Sequence, residues 1–167
     1  ARQVSFDSID EYACALLGFQ RTKQISKPAR MAWQEGNRDV LLAEVRDRRA
    51  EIVRGAFLEI YQEYLPLKTL LEGAEVASVC DIGCGQGINN VFLHLDFAPK
   101  FTLVDIEHTD NQYHFWADSG SGYASLEAAK ALLKENGVKS SDIKTINPTK
   151  TKLDLSNHKF DLVTSLY

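Results

Sequence analysis

The sequence predicts an α/β fold: a parallel sheet with helices on both faces, its first four strands present, preceded by an N-terminal helical segment. Two observations lead there. From residue 76 onward, short apolar and β-branched runs alternate with amphipathic helical stretches, the pattern of βαβ units. Before residue 71 the apolar residues recur only at helical spacing. The chain therefore divides into a helical cap or extension, 1–70, and a sheet-forming part, 71–167.

Ser8-Ile9-Asp10-Glu11 has the form of a capping box, and Tyr12, Ala13, Leu16 and Leu17 follow at helical spacing. A short helix is expected over 8–18, with Gly18 ending it. Residues 19–36 are polar, contain Pro28 and Gly36, and read as a connection. A long helix follows from Asn37, with Leu41, Val45, Ile52, Phe57, Ile60 and Tyr64 on its apolar face. Pro66 is expected to stop it at or before Leu65. Its apolar face must be buried on the sheet part, over the ligand cleft or in a homodimer. The early helix and the segment around Trp33 are expected to cap the carboxyl ends of the strands.

The first strand is read in 76–82, followed by a helix from Ile88 to Leu95 and a second strand in 101–104. Ser125 to Glu135 is amphipathic and closed by Asn136-Gly137. Ile143–Ile146 and residues 160–166 complete the four strands. Right-handed crossovers would place a ligand beyond the carboxyl ends of the strands, where their order reverses.

The 167 residues are 44% hydrophobic and 25% charged, with a net charge of -4, which disfavours the broad basic surface of a nucleic-acid binder. Arg46, Arg48, Arg49 and Arg54 alternate with Glu44, Asp47 and Glu51 and read as a solvated helix face. No apolar run has the roughly 20 residues of a membrane span. Cys14, Cys80 and Cys84 lack metal spacing and read as reduced thiols of a cytoplasmic protein.

The chemistry concentrates in Val79-Cys80-Asp81-Ile82-Gly83-Cys84-Gly85-Gln86-Gly87. A strand runs into glycines at alternate positions and then into a helix, whose start offers unpaired N–H groups. A dinucleotide fingerprint needs glycine or alanine where Ile88 stands. Asp81 beside the loop would repel a pyrophosphate, but it suits a cationic or zwitterionic ligand.

This run resembles the first motif of the class I, Rossmann-like S-adenosylmethionine-dependent methyltransferases. The resemblance covers residues 76–167 and hardly touches 1–75. It implies that Asp81, Gly83, Gly85 and Gly87 line the methionine part of S-adenosylmethionine. Asp105, at the end of the second strand and about 20 residues beyond the loop, would take the ribose hydroxyls, with Glu107 as the alternative. Ile106 would pack on the adenine. Asn147 would reach the adenine amino group, with Asp154 and Leu155 as rivals. Ser165 and Tyr167 would face the reacting methyl and the acceptor.

The activity so implied is methyl transfer to a small-molecule acceptor, with a sugar hydroxyl one candidate. Nucleic-acid or protein methylation and a non-catalytic cofactor-binding remnant are the alternatives. A hydroxyl acceptor needs a base, for which His108, Asp110, His114 and Asp118 are candidates. Tyr113, Phe115, Trp116 and Tyr123 form either a local plug or a lid on the pocket. A full domain of this class has seven strands, so the chain is expected to continue beyond Tyr167.

Overall fold

The computed structural model describes residues 3–106, 125–151 and 158–165. Three helices come first: α1 (Glu11–Gln20), α2 (Lys27–Gln34) and α3 (Asp39–Leu70). They are followed by β1 (Ser78–Ile82), α4 (Ile88–Phe97), β2 (Lys100–Val104), α5 (Leu126–Glu135), β3 (Ile143–Ile146) and β4 (Leu162–Thr164). The four strands form one all-parallel sheet in the order β3-β2-β1-β4. The chain moves outward from β1 through β2 to β3, then returns to β4 on the other side of β1. The order therefore reverses between β1 and β4.

Val79, Phe101 and Ile143 are mutually in register across the sheet, as are Asp81 and Leu103. Val79, Phe101, Leu103 and Ile143 join the core cluster, and the buried side chains of residues 1–70 belong to the same cluster. Cys80, Thr102 and Val104, on the opposite face, are buried outside that cluster, and Val163 is 57% exposed. The described helices thus gather on one face, where the sequence reading expects both. Handedness gives the reason. The β1-to-β2 and β2-to-β3 crossovers run in the same direction, so right-handed connections put α4 and α5 on the same side.

Five local expectations need correction. Asp10, not Ser8, caps α1, its carboxylate accepting from Ala13 N at 2.7 Å. The backbone around Ser8 is instead held by tertiary partners: Glu135 accepts from the N–H groups of Asp7 and Ser8, and Arg49 donates to the carbonyls of Phe6, Asp7 and Ile9. Arg49 is therefore a clamp rather than part of a solvated face. Gly18 lies inside α1, where a Cβ would meet Ile25 Cγ2 at 2.7 Å, so it serves close packing and not termination.

The fourth correction is α2, which occupies the expected connection. Ser26 caps it and Pro28 lies in its first turn, a position where proline's missing N–H costs nothing. The fifth is Pro66, which α3 passes on its way to Leu70. The carbonyl that proline crowds is that of exposed Gln62, which water can serve. The turn is meanwhile anchored to α4, Tyr64 Oη donating to Asp96 Oδ2 at 2.7 Å and Lys68 Nζ to Oδ1 at 2.8 Å. The departure from helical geometry in α3 comes earlier, at Arg48, with φ -119° and ψ 17°.

No helix among the described residues is long and apolar enough to cross a membrane.

Candidate functional site

The loop after β1 is built by glycines in a conformation other residues avoid. Gly83, Gly85 and Gly87 have φ of 74°, 53° and 73°, all in the left-handed region. A Cβ at Gly83 or Gly85 would meet no atom of the described residues within 4 Å, so both face space that those residues leave open. At Gly87, the residue before α4, it would meet the Ala129 Cβ at 3.3 Å, so this glycine lets α4 and α5 approach.

The loop is tied to the end of β2. Gly83 N donates to the Val104 carbonyl at 2.8 Å, and Gly85 N donates to Asp105 Oδ2 at 2.6 Å. Asp105 is only 8% exposed; burial pushes its carboxyl up, and N–H donors from Gly85 and Ile106 pull it back.

Asp81 is 3% exposed. Its Oδ1 accepts from Thr164 Oγ1 and its Oδ2 from Asn90 Nδ2, both at 2.6 Å. One carboxylate thereby joins β1 to β4 and to α4, at the point where strand order reverses. Burial raises its pKa against those two donors. Burial also pushes the Cys84 thiol well up, so it stays protonated.

A cavity of about 580 Å³ opens between this loop and the N-terminal helices. Asp81, Gly83, Cys84, Gly85, Gln86, Ile88 and Asn89 line it from the sheet side; Leu17, Gln20, Arg21, Ile60 and Glu63 line it from α1, its C-terminal end and α3. Arg21 and Glu63 pair through two hydrogen bonds of 2.5 and 2.9 Å. The lining therefore carries one cation against two carboxylates.

The structure thus brings Asp81, Gly83 and Gly85 to one cavity, with Gly87 at the start of α4 behind them. Asp105, Ile106, Asn147 and Ser165 are not among its lining residues. Asn147 is buried, and its Oδ1 accepts from Thr149 N and Oγ1, bracing the turn after β3. Ser165 is exposed just beyond β4. Glu107, His108, Asp110, Tyr113, His114, Phe115, Trp116, Asp118, Tyr123, Asp154, Leu155 and Tyr167 lie outside the described residues.

Trp33 is fully buried against Tyr12 and Phe19, with the Arg38 guanidinium 4.0 Å from its ring centroid, and does not reach the cavity. The described cavity wall on this side comes from α1, as expected of the early helix, and from α3, without the segment around Trp33. Sequence reasoning missed Arg21 and Glu63, which are far apart in the chain and carry no local signal. It also missed Gln86 and Asn89, which sit within and just after the glycine motif and were legible as its neighbours. Among the described residues no cluster of His, Cys, Asp or Glu could hold a metal ion.

Comparison with protein families, with curated proteins and with solved structures finds no match to this chain.

Proposed function

We propose that this chain binds S-adenosylmethionine as a Rossmann-like methyltransferase domain acting on a small-molecule acceptor. The observation that carries the reading is the Gly83–Gly87 loop. Its left-handed glycines leave space open among the described residues directly after β1, beside the buried Asp81 and at the reversal of strand order. The order β3-β2-β1-β4 agrees with the first four places of the doubly wound arrangement, whose ligands sit at this switch point.

The residues suit the cofactor's charges. Its ammonium and sulfonium groups call for carboxylates, and the cavity has an excess of them. Asp81 and the backbone of Gly83 and Gly85 would hold the aminoacyl part. Asp105 would take the ribose: a carboxylate has about four lone-pair sites, so donors from Gly85 and Ile106 leave room for more. When bound, the cofactor supplies a methyl group on a positively charged sulfur, whose transfer demands in-line alignment and exclusion of water. The wall formed by Leu17, Ile60 and Ile88 favours that exclusion.

Calorimetric titration tests the reading. S-Adenosylhomocysteine and S-adenosylmethionine are expected to bind, and NAD to bind more weakly than either. Tighter binding of NAD than of S-adenosylhomocysteine would overturn it.

A further inference from the structure

We propose that the cavity between α1, α3 and the glycine loop receives a neutral amino-heterocycle, read along its ring edge by the side-chain amides of Gln86 and Asn89. The ligand's role as methyl acceptor rests on the reading above; its binding does not.

The polar atoms come first. Gln86 is 6% exposed; its Nε2 donates to the Ala13 carbonyl at 2.6 Å, while its Oε1 is buried with no partner. Asn89 has both Oδ1 and Nδ2 buried without a partner. Orphaned amide atoms are costly in a protein interior and call for an explanation. Both residues line the cavity. The three atoms are shielded from its free space; the terminal torsion of an amide side chain is broad, so a rotation would present them to a ligand, and at Gln86 that rotation gives up the bond to Ala13. Together they offer two acceptors and one donor. The complement is a ring nitrogen beside an N–H-bearing exocyclic nitrogen, the edge that asparagine and glutamine amides read on adenine.

The walls agree with a flat ring. Leu17, Ile60 and Ile88 supply apolar surface, and the volume is that of an ordinary small-molecule site.

Nuclear magnetic resonance titration of the whole chain tests the proposal. The probes are 2-aminopyrimidine and 2-methylpyrimidine, which has similar shape but no N–H. The amino compound is expected to bind about tenfold more tightly, the lower part of the range for a bidentate amide contact, and to shift the amides of residues 83–89. Asn89→Leu, whose lost amide atoms have no partner among the described residues, is expected to abolish that preference while S-adenosylhomocysteine affinity holds. Equal binding of the two probes, or a preference that survives in Asn89→Leu, would overturn the proposal. So would a parallel loss of S-adenosylhomocysteine affinity, because the amide would then be reading the cofactor's own adenine. Failure of the wild type to bind S-adenosylhomocysteine would sink the cofactor reading alone, since the preference between the pyrimidines is measured without it.

Discussion

The backbone N–H of Gly85 and the carboxylate of Asp105 meet at 2.6 Å, so the acid that closes β2 braces the glycine loop that follows β1. Sequence spacing suggested a ligand-binding acid at this position. The contact adds a second duty, fixing the loop on which the ligand would lie.

Separating those duties gives a first prediction. Asp105→Asn retains an acceptor for Gly85 N but loses the charge. It is expected to weaken S-adenosylhomocysteine binding by about 1–3 kcal/mol, the scale of a lost charge-assisted hydrogen bond. Its melting temperature should stay level or rise, because burial makes the charge itself unfavourable in the folded state. Calorimetry with a thermal scan reads both. Normal binding in Asp105→Asn and a loss in Glu107→Ala would move the ribose acid to Glu107.

Gly85→Val is expected to remove ligand binding while the fold persists. Its Cβ would meet no atom of the described residues, and the intrinsic cost is left-handed backbone strain of about 1–2 kcal/mol, more for a branched side chain. Circular dichroism should stay close to wild type. Retained S-adenosylhomocysteine affinity would place the ligand away from this loop.

The legible parts of the fold were those whose signal is local. Ile143–Ile146 is a strand by its own composition, and Leu126–Glu135 carries its cap Ser125 and its closing Gly137 in the sequence. The helix Lys27–Gln34 was hidden because it buries only Ala29 and Trp33, too narrow a stripe to show periodicity. The capping box at Ser8 failed because Arg49 and Glu135 offered its backbone stronger partners than the box could. At the site, Asp81 and the glycines stand in one contiguous motif. Thr164, Asn90, Arg21 and Glu63 are joined to it or to its cavity by the topology alone.

Trp33→Ala separates stability from binding in the helical segment. The side chain is fully buried and lies away from the cavity. Its truncation is expected to cost about 3–5 kcal/mol in urea unfolding. At a temperature where the variant remains folded, S-adenosylhomocysteine affinity should match wild type. A loss of affinity there would restore the segment around Trp33 to the cap.

Asp81 predicts a pH dependence of ligand binding. Burial holds its carboxyl above the usual carboxylate value of about 4. The folded state therefore binds its proton more readily than the unfolded chain, and this group's contribution to stability falls as pH rises through that window. Binding of a cationic ligand runs the other way, because it needs the ionised form. S-Adenosylmethionine affinity is expected to drop on acidification before ordinary carboxylates titrate, and Asp81→Asn should flatten that slope. An unchanged slope in Asp81→Asn would assign the pH dependence to another group.

Glu135 predicts the opposite stability profile. Burial pushes its carboxyl up, but donors from the Ser5 and Ser8 segment and the Asp7 backbone outweigh that, and the net shift is downward. The interaction stabilises the fold above the ordinary glutamate pKa and is lost as pH falls through the lowered folded value. Glu135→Gln keeps one acceptor and loses the charge that gathers Ser5, Asp7 and Ser8 onto the end of α5. Partial exposure discounts the effect to about 1 kcal/mol at neutral pH. Denaturant unfolding across a pH series should show the wild type and Glu135→Gln converging as the medium is acidified. A gap that stays constant into strong acid would mean that packing of the side chain, and not its charge, holds the Ser5–Ser8 segment.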